Sequence, residues 1–438
     1  MNDFLKTKSF AYALLLIGFC SINQLWAQLP SPNFIVGDAL PNAPELAPRG
    51  KYAVGVRTLE VINKNQVDVL KSKAGIDPLY DRSLMIEVWY PAVIPTGQKA
   101  LETYKSTLGL FNDPKRPLIP YTYFGRALRD AQPDRSEGKY PLVIVSHGYP
   151  GSRLLLSYLT ENLASKGYIV VSIGHTESTY SDRAGFQSTL LNRSKDVLFV
   201  LNQMTAFSDQ GSKHFLSGIV DTENTGIVGY SMGGYGVLNV AGAGYSQKMD
   251  STFATLSGGS HAIRVRLAGQ PEYLASLDPR IKAVVAFAPW GMQRGAWDKE
   301  GLKGLKTPTF FIAGSLDDVS GYEDGIKAIY DGAIYANRYL LTYQNARHNV
   351  APNPPPVETL AEGVNPNEYN HYSEPSWNEY RLNNNNQHFV TAFLGIHLKK
   401  LDYMKYLDVQ KNSNDKLWKG FKPRYSTGME LLHAMPNK

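Results

Sequence analysis

From residue 141 onward, short, mostly apolar runs alternate with longer stretches whose apolar residues recur every three or four positions. The runs are residues 142–145, 168–173, 225–228, 281–287, 309–313 and 338–343. A near-continuous apolar run is what a strand covered on both faces requires, whereas a half-exposed strand alternates apolar with polar residues. Between the runs, residues 154–165, 190–204 and 235–243 carry helical spacing, with Leu191, Val197, Leu198 and Leu201 along the second of them. Strands alternating with helices predict right-handed crossovers and a mostly parallel, doubly wound sheet with helices on both faces. Chemistry in such a sheet collects at the C-terminal ends of the strands.

Other segments stand outside this alternation. Residues 52–56 and 84–91 are strand-like, and the second alternates through Leu84, Ile86 and Val88, the pattern of an edge strand with one buried face. Residues 95–138, with Pro114, Pro117 and Pro120, read as a loop excursion or short cap element. Residues 245–280 have few apolar runs and read as a lid-like insertion. Residues 351–387, with Pro352, Pro354, Pro355, Pro356 and the asparagines at 383–386, read as a polar excursion. A last helix is expected over 388–399, packing through Phe389, Phe393 and Leu394. The resulting division is a signal peptide at 1–27, an extended lead-in at 28–50, one large domain at 51–400 and a tail at 401–438.

The signal-peptide reading rests on Lys6 and Lys8, an apolar core at 11–19 that is too short to span a bilayer, and a cleavage signal at Leu25, Trp26 and Ala27. The single cysteine of the chain, Cys20, lies inside this segment behind the bulky Phe19, which disfavours lipid attachment. The processed protein then has no thiol and no disulfide, and is expected to be periplasmic or secreted with no stable membrane anchor. Formal charge is +6, but Lys and Arg are scattered, so nucleic-acid binding has no support. No glycine-rich phosphate loop and no short metal-ligand motif links the dispersed histidines, so neither a cofactor nor a metal is predicted.

One turn carries a chemical signal. Gly229, Tyr230, Ser231, Met232, Gly233 and Gly234 lie between the 225–228 strand and the 235–243 helix. Strand, glycine turn and helix are the context in which a Gly-x-Ser-x-Gly pattern exposes a serine as a nucleophile. Such a serine needs a histidine to take its proton and a carboxylate to orient that histidine. Asp317 follows the 309–313 strand and His348 follows the 338–343 strand, both past strand ends and in the order Ser, Asp, His. Asp318 is the adjacent alternative and is read as a helix cap; His388, at the start of the last expected helix, is the alternative base and is read as structural. An oxyanion hole needs two backbone N–H groups, here assigned to Met232 and, in the loop after the 142–145 strand, to Tyr149; Pro150 has none to give. His147 is read as a loop-bracing residue, while His175 and Trp290 are possible pocket residues.

These pieces resemble the α/β-hydrolase superfamily, and within it the dienelactone-hydrolase-like and platelet-activating-factor acetylhydrolase-like group. The matching stretches are 54–57, 86–91, 140–148, 163–168 and 229–234, with 175–180 similar to the loop after the equivalent strand in the acetylhydrolases. The resemblance implies an α/β-hydrolase fold and cleavage of a small-molecule or lipid-like carboxylic ester through an acyl-enzyme on Ser231. Dienelactone hydrolases themselves use a cysteine nucleophile, and position 231 is serine. An amidase or peptidase on the same residues, or a binding protein that keeps the fold without the chemistry, are the competing readings.

Overall fold

The mostly apolar runs form the centre of the sheet. The computed structural model describes residues 34–409 and 418–437. The chain divides into a short unit, Met1–Ile35, and a unit Val36–Lys438. The expected signal peptide and Cys20 lie outside the described residues. The strands and helices of the described residues all belong to the second unit.

In chain order the strands are β1 (Ala53–Val67), β2 (Leu79–Val93), β3 (Glu102–Leu108), β4 (Ile119–Gly125), β5 (Ala127–Arg129), β6 (Gln132–Pro133), β7 (Tyr140–Ser146), β8 (Ile169–Gly174), β9 (Val220–Tyr230), β10 (Ile281–Phe287), β11 (Thr309–Gly314), β12 (Arg338–Tyr343) and β13 (Met429–Ala434). Among the described residues one sheet runs in the order β13-β12-β11-β10-β9-β7-β8-β2-β1-β5, with β6 on β2, and β3 and β4 pair apart as a hairpin. The six strands from β8 to β12 in that order are parallel. β1, β2 and β13 add antiparallel flanks. Every residue of β7, β8, β11 and β12 is buried, as strands covered on both faces must be. The chain passes from β7 outward to β8, then returns to lay β9 on the other side of β7. The strand order therefore reverses between β7 and β9, and the crevice beyond their C-terminal ends is where an α/β sheet opens a binding site.

The helices are α1 (Ser157–Ser165), α2 (Phe186–Ser208), α3 (Met232–Val240), α4 (Gln247–Leu256), α5 (Pro271–Ala275), α6 (Lys299–Lys303), α7 (Ala328–Gly332), α8 (Pro366–Asn370) and α9 (Glu379–Lys399). α1 packs with α9 and α2 packs with α3, on opposite faces of the sheet.

Several segments differ from their sequence reading, each for a physical reason. β2 is an interior strand, not an edge, because β1 and β5 cover its outer side. Residues 95–138 hold four strands rather than a loop. Residues 245–280 do not lie over the crevice. They pack beside α3, where Tyr245 stacks on Tyr235 with ring centres 4.8 Å apart and Tyr273 donates its hydroxyl to Asn239 O at 2.7 Å. The tail supplies β13, and Trp418 is buried against Phe389. The last helix starts at Glu379, nine residues earlier than the polarity of the stretch indicates, so His388 sits mid-helix and fully buried. The asparagine run is inside α9 and buried, with each side-chain amide nitrogen donating to a partner. Asn386 donates to Val350 O at 2.7 Å and Tyr158 Oη at 3.0 Å and accepts from Tyr343 Oη at 2.8 Å; Asn383 donates to Pro352 O.

Buried polar groups deprived of partners cost about 1–3 kcal/mol each. Asn386→Leu keeps the volume but strands Val350 O and two tyrosine hydroxyls, so it is expected to destabilise the fold by at least about 2 kcal/mol in denaturant unfolding. A change within about 0.5 kcal/mol, the level of an ordinary surface substitution, contradicts the buried placement.

Candidate active site

The turn after β9 is built by close approach. A methyl group on Gly229 would stand 2.3 Å from Gly233 O, and one on Gly233 would stand 1.9 Å from Ser146 O. These glycines let α3 start directly against the end of β7. Ser231 between them is held at φ 54°, ψ −114°, a conformation non-glycine residues rarely adopt. Its N–H donates to Phe287 O at 2.9 Å and its carbonyl accepts from Trp290 N–H at 3.2 Å, so the end of β10 and the residues just after it brace the strained residue.

Ser231 Oγ lies 3.0 Å from His348 Nε2, and His348 Nδ1 lies 3.0 and 2.9 Å from the two Asp317 oxygens. All three residues are buried. The tautomer with hydrogen on Nδ1 satisfies both contacts: Nδ1–H donates to the carboxylate and Nε2 accepts the serine proton. Asp317 Oδ1 also accepts the N–H groups of Val319 and Ser320, at 2.9 and 2.8 Å. Burial raises the Asp317 carboxyl, but the charge of His348, its hydrogen bond and the two backbone donors outweigh that and leave it below the usual carboxylate range. Asp318 faces away and pairs with Arg347 at 2.8 Å on the surface. The structure thus brings together the Ser231, His348 and Asp317 of the sequence reading, and separates Asp318 and His388 from them.

The loop after β7 passes close to the serine. A methyl group on Gly148 would stand 3.5 Å from Ser231 Cβ and 3.2 Å from the Tyr230 ring. The N–H groups of Tyr149 and Met232 have no hydrogen-bond acceptor among the described residues. The Tyr149 side chain is fixed by its hydroxyl on Ala184 O at 3.1 Å and by its ring 5.1 Å from that of Phe186. A cavity of about 540 Å³ opens here, walled by Gly148, Tyr149, Ser231 and His348 on the chemical side. Its outer wall is polar, with Arg116, Arg347, Asn349, Asn367, Asn370 and His371. The segment 366–375 therefore supplies a wall of this cavity, and Asn349 ties it to the His348 loop through Asn370 O at 2.7 Å and Ser373 O at 3.0 Å.

His175 and Trp290 are not among the residues lining this cavity. Trp290 packs against Phe186 and Tyr235, at 5.4 and 6.1 Å between ring centres. His175 is fully buried behind the β7 loop. Its Nδ1 meets Asp196 Oδ2 at 2.8 Å, and its Nε2 meets Ser146 Oγ at 2.8 Å. Burial, then the charge of Arg193, pulls this imidazole down to about 3, so it is neutral and the Asp196 contact is a hydrogen bond rather than an ion pair. Ser146, His175 and Asp196 repeat the bonding order of a catalytic triad, but Ser146 is fully buried and does not line the cavity beside Ser231. His147 braces the loop, as its position suggests: Nδ1 contacts Gly148 O at 2.7 Å and Nε2 accepts from His175 N–H at 3.2 Å. Residues not singled out from sequence are Arg82, Arg193 and Asp196. Their signal was two opposite charges three residues apart, Arg193 and Asp196, inside the apolar spacing of α2.

Comparison with known proteins agrees with this architecture. The profile of a PET hydrolase-like family matches residues 121–257. Cutinase est1 of Thermobifida alba is 23% identical over 220 residues, covering 50% of this chain and 56% of that protein. Bis(hydroxyethyl) terephthalate hydrolase of Streptomyces coelicolor is 22% identical over 214 residues, covering 49% and 52%. The chain thus spans about half the length of these curated relatives. A solved ferulic acid esterase from Streptomyces cinnamoneus superposes with a TM-score of 0.53 at 20% identity, covering 82% of this chain and 94% of that one. With β8 to β12 parallel, a strained serine at the β9–α3 turn and these similarities in hand, the chain has the α/β-hydrolase fold and is similar to ester hydrolases built on it.

Proposed function

We propose that this protein is a carboxylic ester hydrolase that works through an acyl-enzyme on Ser231. The observation carrying the proposal is the unbroken hydrogen-bonded chain from Ser231 Oγ through His348 to Asp317 at the edge of an open cavity. The names of the similar proteins, a cutinase, a bis(hydroxyethyl) terephthalate hydrolase and a ferulic acid esterase, support ester chemistry.

The geometry accommodates acylation and then deacylation of the serine. An ester carbonyl enters the cavity beside Ser231. The Oγ attacks the carbonyl carbon while His348 Nε2 takes its proton, and Asp317 stabilises the imidazolium that forms. Charge on the carbonyl oxygen is received by the N–H groups of Tyr149 and Met232, which have no acceptor to release among the described residues. His348 returns the proton to the leaving alkoxide, the alcohol departs, and the acyl group remains on Ser231. Water, deprotonated by the same imidazole, then attacks the acyl carbon and frees the acid and the serine.

The polar outer wall favours short or polar acyl and alcohol groups over long alkyl chains, narrowing the small-molecule or lipid-like range expected from the family resemblance. The sequence pattern at residues 1–27 supports action outside the cytoplasm. Among the described residues no helix is long and apolar enough to cross a membrane.

A fluorophosphonate probe is expected to label the wild type and not Ser231→Ala, whose turnover falls by about 10⁴-fold or more. A folded wild type that neither labels nor turns over esters points instead to a binding protein. Asp317→Asn is expected to lower kcat by about 10⁴-fold through the wrong histidine tautomer, and Asp318→Asn to leave it within a few-fold. The opposite ranking moves the acid to position 318. p-Nitrophenyl acetate and butyrate are expected to outpace both the matched anilides and p-nitrophenyl palmitate. Faster anilide turnover identifies an amidase, and faster palmitate turnover removes the preference for short acyl groups.

A further inference from the structure

Behind the β7 loop lies a fully buried arginine with an unusual set of partners. Arg193, on α2, donates through Nη1 to His147 O at 2.5 Å and through Nη2 to Gly148 O at 2.8 Å. Nη2 also reaches Ser178 Oγ at 2.6 Å, and Nη1 approaches Ser146 Oγ at 3.4 Å. Nε is buried with no acceptor. None of these partners is a carboxylate. Asp196, one turn along the same helix, is engaged by Arg82 at 2.9 and 3.0 Å and by His175. A buried guanidinium without a bonded counter-charge costs several kcal/mol of desolvation, and an apolar side chain would fill the space more cheaply. The charge is better explained by what it holds.

It holds two consecutive carbonyls, those immediately before the Tyr149 amide. In a trans peptide the C=O and N–H of one unit point in opposite directions. Among the described residues the one cis bond is Tyr149–Pro150, so the Gly148–Tyr149 unit is trans. With Gly148 O drawn back toward Arg193 and the His147 ring, the Tyr149 N–H of that same unit points the other way, to the side where Gly148 faces Ser231. Resting on the ester-hydrolase reading of Ser231, we infer that Arg193 is a positioning residue for the oxyanion hole, fixing the Tyr149 N–H in the direction that receives the carbonyl oxygen. Charge-assisted bonds to the carbonyl also polarise the peptide and make its N–H a stronger donor.

The surroundings leave the arginine no second arrangement. Ser146 donates its hydroxyl proton to the neutral His175 Nε2, His175 Nδ1–H donates to Asp196, and Arg82 grips the same carboxylate with two bonds. Ser146 Oγ is thereby left as an acceptor on the Arg193 side. Ser178 Oγ, which also receives Thr189 Oγ1–H at 3.1 Å, anchors the other edge of the guanidinium. On the far side, a methyl group on Gly236 of α3 would stand 2.8 Å from Arg193 Cβ, so the helix carrying the serine is packed against the residue that aims the oxyanion donor.

Arg193→Lys, Arg193→Met and Ser178→Ala test this, with kcat and KM measured separately on p-nitrophenyl butyrate and active sites titrated by the fluorophosphonate probe. Lysine offers one point of donation where the guanidinium offers two, so kcat is expected to fall about 10- to 100-fold with KM within about three-fold. Methionine is expected to lower kcat by about 10²- to 10³-fold, the level of a lost oxyanion donor. Ser178→Ala is expected to give a several-fold loss in kcat at unchanged melting temperature. Affinity for a trifluoromethyl ketone, which forms a tetrahedral oxyanion on the serine, is expected to fall in step with kcat/KM across the series. A purely packing role predicts a lower melting temperature with kcat per titrated site unchanged, and that result overturns the inference. If Arg193→Met does not fold, unchanged kcat in both other variants overturns it equally. An inactive, unlabelled but folded wild type removes the ester-hydrolase reading and this one with it. An active, labelled wild type beside unaffected variants removes this one alone.

Discussion

The close contact between α3 and the end of β7 is the constraint on which the rest of the site depends. There is no room for a methyl group between Gly233 and Ser146 O, or between Gly229 and Gly233 O. That contact joins two strand ends that the topology already makes neighbours, β7 and β9, and it sets the distance between the strained serine and the loop beyond β7. A Cβ at either glycine would force the turn to shift, and with it Ser231 relative to the β7 loop. The strain at Ser231 is stored because both of its backbone groups are bonded to the β10 side, and because the helix cannot recede without giving up its packing.

Two polar chains converge on this contact from opposite sides. One runs Ser231–His348–Asp317 and ends on backbone amides. The other runs Ser146–His175–Asp196–Arg82 and lies wholly inside the protein. They share a bonding order but differ in access: Ser231 lines the cavity, whereas Ser146 is fully buried. In the buried chain every donor has one acceptor that suits it, so it fixes orientation and exchanges no proton with a substrate. The carboxylates differ accordingly. Asp196 is committed to two partners, one a permanent cation, whereas Asp317 faces a single imidazole whose charge can change.

The parallel sheet and the Ser231, Asp317 and His348 positions were legible because each is carried by a local signal: mostly apolar runs, a glycine-flanked serine, and polar residues just past strand ends. What was not legible depended on partners remote in sequence. Asn383 to Asn386 have the composition of a loop, yet they are helical and buried; Tyr158, Tyr343, Val350 and Pro352 bond the amides of Asn383 and Asn386, and Asp38 and Leu40, up to 346 residues away, bond that of Asn384. β2 alternates like an edge strand, but the chain places β1 and β5 outside it. His175 follows a strand as Asp317 and His348 do, so local position alone does not distinguish it. What distinguishes it is Asp196 from α2, which draws the ring inward.

The same dependence on remote partners governs the cavity wall. Residues 245–280 have the composition of an insertion, but they pack beside α3 and line none of the cavity. The wall comes from residues 366–375, and its anchor is Asn349, the neighbour of His348 in sequence. Asn349 Oδ1 also accepts the hydroxyl of Tyr230, the residue before Ser231, at 3.0 Å. One side chain thus connects the turn that holds the serine, the loop that holds its histidine and the segment that faces a substrate.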